Sequence, residues 1–460
     1  LQLKDISRVY FVGIGGIGMS ALARWFRHYG HTVAGYDRTR TALTEQLEKE
    51  GVDVQYDDDP ALVPADFRSP ERCLVVYTPA VPPDHRGLRF FRASGFAELK
   101  RSQVLGLLTQ DLFTVGVAGT HGKTTTSSMT AHLLTSAGKN CTAFLGGITQ
   151  NYGTNLLMGK ADGTDPLVVA EADEFDRSFL TLYPNVAVVT SMDADHLDIY
   201  GTADAIHQSF HDYVAQIKQD GVLVVRQGLP LAVPAHVQAY TYAQGQSADF
   251  WADNVRIEPP HFAFDLRTPN GTVRDLRIQV PGYHNVENAT AAAAVALLLG
   301  VGETQVREGL RTYSGVKRRF EYIYRDENFV YIDDYAHHPA EVAAFLGSVK
   351  ALYPARKVTA VFQPHLYSRT RDFADEFAES LSLADETILL DIYPAREQPI
   401  PGVTSEMVFK KIQSKEKTLC RKDELMAVLA RRKPDVLVTM GAGDIDTFVN
   451  PIREWLGGLS

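Results

Sequence analysis

The chain has only three cysteines, Cys73, Cys141 and Cys420, and they lie far apart. No C-x-x-C pair exists, which argues against a thiolate zinc site or a disulfide framework and suits a reducing cytoplasm. Long apolar runs are also missing. Nothing approaches the roughly 18 uninterrupted apolar residues of a membrane helix. The short apolar stretch at 9–19 contains four glycines, so it reads as strand plus turn rather than as a signal peptide. Basic residues are in deficit: 46 Lys and Arg against 56 Asp and Glu give a formal net charge of −10. That balance argues against non-specific binding to nucleic acid or acidic membranes. It leaves nucleotides open, because they need only a local cluster of donors. Low-complexity runs and internal repeats are absent too.

What is present is the composition of a soluble globular protein, with 45% hydrophobic and 22% charged residues. At 460 residues the chain exceeds one ordinary core, so two to four domains are expected. Strand and helix signals alternate throughout, which predicts an α/β protein with parallel sheets. Three zones emerge. Residues 1–108 open with RVYFVGI, a glycine turn and the helical pattern MSALARWFRHYG. Residues 109–318 carry FTVGVAG, PLVVAEAD and PNVAVVTSMD, then an Asn270-Gly271 hairpin signal and the alanine-rich helix pattern NVENATAAAAVALLLG. Residues 319–460 carry NFVYIDDYAHHP, KVTAVFQPH, ETILLDIYPA and DVLVTMGAGD. In open α/β sheets ligands bind at the carboxyl ends of strands, so the polar residues there are the candidates.

The sharpest signal is Gly119-Thr120-His121-Gly122-Lys123-Thr124-Thr125, between an apolar strand and a helical pattern. Glycines let backbone N–H groups approach phosphate oxygens, and the following helix N-terminus favours anions. Lys123 would pair with β- and γ-phosphates, and Thr124 would offer its hydroxyl to magnesium. The common phosphate-loop pattern wants glycine at 117, where this chain has valine. The bland alternative is an ordinary glycine turn. Two further strand ends are acidic: Glu171-Ala172-Asp173-Glu174, and Ser191-Met192-Asp193-Ala194-Asp195-His196. Taken alone, Glu171 is a magnesium ligand or a solvated strand-end charge, and His196 a ligand or a structural histidine. Near the start, Gly13-Ile14-Gly15-Gly16-Ile17-Gly18 follows a strand, and Asp37 ends the next one. That fits a diphosphate on a helix N-terminus with an acid on a ribose. It suits NAD or any other nucleoside diphosphate, and Thr78 and Ala80 at a later strand end would complete the pocket. Lys100-Arg101-Ser102 is a short basic spot that reads as a solvated face rather than a ligand contact, with the ligand of this first pocket as its alternative neighbour.

The variant loop resembles that of the Mur ligases and their folylpolyglutamate-synthetase relatives, and the likeness runs over nearly the whole chain. Asp333-Asp334-Tyr335-Ala336-His337-His338-Pro339 and Phe362-Gln363-Pro364-His365-Leu366-Tyr367-Ser368-Arg369-Thr370 are similar to signatures of the family's alanine-adding members. The resemblance implies three α/β domains: Rossmann-like at 1–108, a central P-loop-type ATP-binding domain at 109–318, and Rossmann-like again at 319–460. It implies a cytoplasmic, ATP- and Mg2+-dependent ligase of peptidoglycan precursor synthesis that joins L-alanine to UDP-N-acetylmuramate through an acyl phosphate. Gly15, Gly16, Ile17, Gly18, Asp37, Thr78 and Ala80 would then hold the UDP-sugar. Residues 119–125 would hold ATP, with His284, Asn285 and Asn288 at the adenine. Helix capping by one of the two asparagines is the alternative. Glu171 and His196 would bind magnesium. Arg318 or Arg319 would reach ATP, and Asp334 its ribose and phosphates. His337, His365 and Arg369 would stand near the γ-phosphate and the amino acid. The chain departs from the family in Ser191 and Leu366, where asparagine and arginine are common. It has His211 where several relatives carry a modified lysine. The nearest rival is a sister ligase attaching a preformed peptide; a dehydrogenase-like reading leaves 119–126 and 333–370 without a purpose.

Overall fold

The computed structural model describes residues 3–458 apart from 83, 161–162, 194–199, 396 and 433; the side chains of Lys4, Phe175 and Asp176 are likewise outside the description. Two compact units emerge. One comprises Leu1–Trp251, Leu266–Val273 and Asn288–Leu310. The other comprises Ala252–Asp265, Arg274–Glu287 and Arg311–Ser460. Among the described residues no helix is long and apolar enough to cross a membrane.

In the first unit, β1 (Arg8–Val12), β2 (Thr32–Tyr36), β3 (Asp53–Gln55), β4 (Cys73–Tyr77) and β5 (Ala97–Lys100) form a parallel sheet in the order β3-β2-β1-β4-β5. β1 shows why the sequence folds this way. Its alternate residues Val9 and Phe11 enter one core cluster, and Tyr10 and Val12 enter another. A strand covered on both faces must be apolar throughout, as RVYFV nearly is. The glycine turn leaves its carboxyl end and runs into the helix Ile17–His28.

The same unit contains β6 (Thr114–Ala118), β7 (Cys141–Phe144), β8 (Leu156–Leu157), β9 (Leu167–Ala172), β10 (Val186–Val189), β11 (Val222–Arg226) and β12 (Gln238–Gln244), in the order β12-β11-β10-β6-β9-β7-β8. β6 lies between β9 and β10 and is parallel to both. The ends of all three therefore converge where the 119–125 loop begins. The helix Lys123–Ser136 comes next, buried from Thr124 to Leu134. β13 (Phe250–Glu258), β14 (His261–Thr268) and β15 (Gly271–Ile278) follow one another as neighbours, with Asn270 in the turn the sequence signalled. The alanine-rich helix runs Tyr283–Leu298, and Gly300 beyond it takes a positive φ of 76°, a conformation that suits a helix end.

In the second unit, β16 (Glu321–Arg325), β17 (Val330–Asp334), β18 (Val358–Phe362), β19 (Glu386–Leu389), β20 (Glu416–Leu419) and β21 (Val436–Met440) are ordered β16-β17-β21-β18-β19-β20. Only the edge strand β16 is antiparallel to its neighbour. The acidic end of β17 thus lies beside Gly441, which follows β21, and one strand from Gln363, which follows β18. The architecture is the expected α/β arrangement, with three sheets rich in parallel pairs.

Candidate functional site

The loop after β6 is shaped by two glycines. Gly119 has φ 140°, and a Cβ there would lie 2.0 Å from Thr190 Oγ1. Gly122, at the helix N-cap with φ 80°, would bring a Cβ to 2.7 Å from Asn288 Oδ1. Neither place admits a side chain. Ser191 anchors the loop. Its hydroxyl accepts the His121 N–H at 2.8 Å and meets Thr120 Oγ1 at 2.9 Å. Thr120 Oγ1 in turn accepts the Asp193 N–H at 3.1 Å. These bonds give Ser191 a role in holding the loop. Thr125 is buried in the first turn of the helix.

Lys123 donates to the Gly119 carbonyl at 2.7 Å and forms an ion pair with Glu174 at 2.7 Å, where Glu174 is 1% exposed. Burial disfavours the ammonium, but Glu174, Asp173 and Glu171 outweigh burial and raise its pKa. The lysine is therefore charged across the physiological range. Thr124 Oγ1 donates to Glu171 Oε1 at 3.0 Å, and the Gly146 N–H donates to Glu171 Oε2 at 2.9 Å. Burial raises the Glu171 pKa against the opposing pull of Lys123. Among the described residues no group of three or more His, Cys, Asp or Glu is arranged to hold a metal ion. What exists is the oxygen pair Thr124–Glu171, and Mg2+ takes oxygen ligands while keeping several waters. His196 lies outside the described residues.

A cavity of about 770 Å³ opens beside this loop. Gly15, Gly16, Ile17, Gly18, Asp37, Thr78 and Ala80 all line it, with Glu171 and Asp173. Asp37 already has backbone partners: its carboxylate accepts Gly15 N–H at 2.7 Å and Thr39 N–H at 3.1 Å. It thereby braces the glycine turn. Arg101 also lines the cavity, which corrects its reading as a solvated spot. The missed signal is its position directly after the carboxyl end of β5, where parallel sheets place ligand contacts. Glu174 was missed as well, hidden in an acidic run that offered no reason to single it out.

The two asparagines part company. Asn288 belongs to the first unit, where its Oδ1 accepts from Thr126 Oγ1 at 3.2 Å and faces Gly122. Asn285 belongs to the second, and its amide donates to the Pro281 carbonyl at 2.8 Å. Neither caps the helix, which begins at Tyr283. His284 has its pKa lowered to about 4 by burial, with Arg319 adding to the effect and Glu341 opposing it.

In the second unit, Arg318 is committed to Asp333 at 3.0 Å and to the Gly441 carbonyl at 2.6 Å. Arg319 lies over the Tyr335 ring at 5.2 Å. Both Asp334 oxygens accept backbone N–H groups at 2.7 Å, from Phe320 and Ala336. The His337 and His365 rings are 6.1 Å apart. Burial lowers the His337 pKa, with Glu341 opposing and the Arg369 charge adding to it. Leu366 is buried with φ 71°, and its N–H donates to the Tyr393 carbonyl at 3.0 Å. A backbone-fixed apolar residue therefore occupies position 366, where the family resemblance implied arginine.

Burial pushes the Asp334 carboxyl up to about 7, with Arg319 and the two N–H bonds pulling the other way. Between the unfolded value near 3.9 and about 7, the folded chain holds a proton that the unfolded chain has released. This group's contribution is therefore full below about pH 4 and is lost as pH rises through 7. Melting temperatures measured from pH 5 to 8 should fall more steeply in the native chain than in Asp334→Asn. Parallel slopes would show that Asp334 does not carry this dependence.

Residues 8–112 match the Mur ligase family catalytic domain, 117–296 the Mur ligase middle domain, and 318–443 the Mur ligase glutamate ligase domain. The chain is 51% identical to the UDP-N-acetylmuramate–L-alanine ligase of Parabacteroides distasonis, over 99% of this chain and 98% of that one. It is 50% identical to the protein of the same name from Cytophaga hutchinsonii, over 98% and 97%. The crystal structure of UDP-N-acetylmuramate-alanine ligase from Thermotoga maritima superposes with a TM-score of 0.81 at 28% identity, covering 98% of this chain and all of that one. With three family domains in sequence and full-length relatives at half identity, the chain belongs to the Mur ligase family.

Proposed function

We propose that this chain is an ATP-dependent ligase that joins L-alanine to the lactyl carboxylate of UDP-N-acetylmuramate, a cytoplasmic step of peptidoglycan precursor synthesis. In this reading residues 1–108 bind the UDP-sugar, 109–318 bind ATP and 319–460 receive the amino acid. The observation that carries it is Lys123, held charged at a helix N-terminus beside the Thr124–Glu171 oxygen pair. The names of the full-length relatives supply the substrates.

A carboxylate is a poor electrophile, so the reaction begins with attack of the lactyl carboxylate on the γ-phosphorus of ATP. ADP leaves and an acyl phosphate forms. Transfer of this kind depends on positioning and charge neutralisation. Residues 119–125 and Lys123 supply amide donors and a cation for the β- and γ-phosphates. Thr124 and Glu171 would hold Mg2+, with His196 assigned to a second ion on family resemblance; bound there, the metal adds positive charge at the transferred phosphoryl group. His284, Asn285 and Asn288 are assigned to adenine, and Arg318, Arg319 and Asp334 to the ATP side of the third domain. The amine of L-alanine then attacks the acyl carbon, and phosphate leaves. His337 suits the proton acceptor for the alanine ammonium. Its Nδ1–H donates to the Tyr335 carbonyl at 2.9 Å, so the neutral ring presents Nε2 as a base. His365 and Arg369 flank it as anion contacts.

The test is phosphate release from ATP and Mg2+ with UDP-N-acetylmuramate, with and without L-alanine. Release that needs both, with an equal yield of amide, is the expected result. Release with a peptide but not with alanine would move the chain to the sister branch, and no release with either would sink the reading.

A further inference from the structure

We propose that Glu397 is a positioning residue: its carboxylate, clamped on Ser368, sets Arg369 for the incoming amino acid. This rests on the reading of the third domain as the amino-acid site. The loop after β18 carries His365 and runs into the short helix Tyr367–Asp372, which carries Arg369. That helix is poorly made on its own. Leu366 stands at its N-cap with φ 71° and no side-chain cap bond, and leucine has no oxygen with which to cap. Glu397 supplies the missing acceptors from 29 residues away. Its Oε2 accepts the Ser368 N–H at 3.0 Å, and its Oε1 accepts the Ser368 hydroxyl. A carboxylate that holds two donors of one residue fixes both its place and its orientation. The next residue is Arg369, whose positive charge acts on the His337 ring.

Glu397 lies on a strap, residues 391–403, that follows β19. Pro394, Pro399 and Pro401 have no N–H to donate and keep the strap out of regular structure, so its position depends on attachments to its neighbours. Tyr393 makes one. Its N–H donates to the Pro364 carbonyl at 2.8 Å, its carbonyl accepts the Leu366 N–H at 3.0 Å, and its ring stacks on His365 with centroids 5.8 Å apart. Tyr393 also packs over Gly443, beyond β21, where a Cβ would lie 2.7 Å from Tyr393 Cβ. Glu397 makes the other attachment. Tyr393 thus holds His365 and Glu397 holds Ser368, so the strap fastens both ends of the segment that leads into Arg369. A guanidinium reaching a small substrate must be held closely, because a small displacement forfeits the contact.

The test is steady-state kinetics on the full chain, with KM measured separately for L-alanine, ATP and UDP-N-acetylmuramate. Glu397→Ala should raise KM for L-alanine by about 10- to 100-fold, the scale of a lost charge-assisted contact. The other two KM values and kcat at saturating L-alanine should hold, since the interaction lost is one of binding. Glu397→Gln keeps an oxygen for Ser368 without the charge. Its KM should fall between, and it carries the test if Glu397→Ala disturbs folding. Ser368→Ala leaves only the N–H bond and should have a smaller effect. Added to Glu397→Ala it should change nothing further, because both act through one contact. A fall in kcat or in melting temperature with KM for L-alanine unchanged would make Glu397 a structural brace only. Equal rises in all three KM values, or additive effects of the two substitutions, would show that it does not act through Ser368 on Arg369. Each of these overturns the proposal. If the unaltered chain shows no phosphate release that depends on L-alanine, the amino-acid reading of the third domain itself fails, and this assignment with it.

Discussion

Lys123→Met is expected to lower kcat by roughly 10³-fold, the scale seen when a preorganised charge contact to a transition state is removed. The lysine is partly buried, charged and positioned by Glu174 and the Gly119 carbonyl. The single variant has a second effect, which must be separated from the first. Glu174 is 1% exposed, and removing its cation strands a buried carboxylate, which costs about 3–5 kcal/mol of stability. Lys123→Met/Glu174→Gln removes that stranded charge. It should recover most of the melting temperature and none of the activity. Recovery of activity in the double variant would mean that the single variant failed through folding and that Lys123 has no direct part in phosphoryl transfer.

The strand ends and the glycine turns were legible in the sequence because they follow local rules. A strand such as RVYFV, buried on both faces, must be apolar, and the chain must turn beyond its carboxyl end. Residues 119–124 and Glu171 were legible for the same reason, since each sits at such an end. The features that stayed hidden depend on partners far along the chain. Glu174 matters because it meets a lysine 51 residues earlier, and Ser191 because it holds the amide of His121. No local pattern distinguishes either from a solvated neighbour. Arg101 was misread although its position after β5 obeys the strand-end rule, because a K-R-S triplet looks like surface. The capping reading of Asn285 and Asn288 failed by register. The helix starts at Tyr283, which puts both asparagines inside it: the Asn285 amide donates back to the Pro281 carbonyl, and Asn288 accepts from Thr126, far along the chain.

Glu171→Gln separates stability from chemistry in the opposite direction. In the absence of ligand, the carboxylate is partly buried and desolvation raises its pKa; Lys123, the Thr124 hydroxyl and the Gly146 amide offset the cost. A neutral amide there needs less desolvation compensation, so the ligand-free melting temperature should hold or rise. Mg2+ gains less from an amide oxygen than from a charged carboxylate oxygen. The apparent Mg2+ affinity measured from initial rates should therefore fall by at least about tenfold, with kcat/KM down on the order of 10²-fold at fixed metal. The stabilisation conferred by Mg2+ and ATP together should shrink as well, since ligand linkage scales with occupancy. A variant with native metal dependence and native ligand stabilisation would show that the Thr124–Glu171 pair only braces the loop. One that melts early without ligand would place Glu171 in the scaffold. The combination of equal or greater intrinsic stability with weakened metal dependence is what a metal-holding carboxylate predicts and a merely structural one does not.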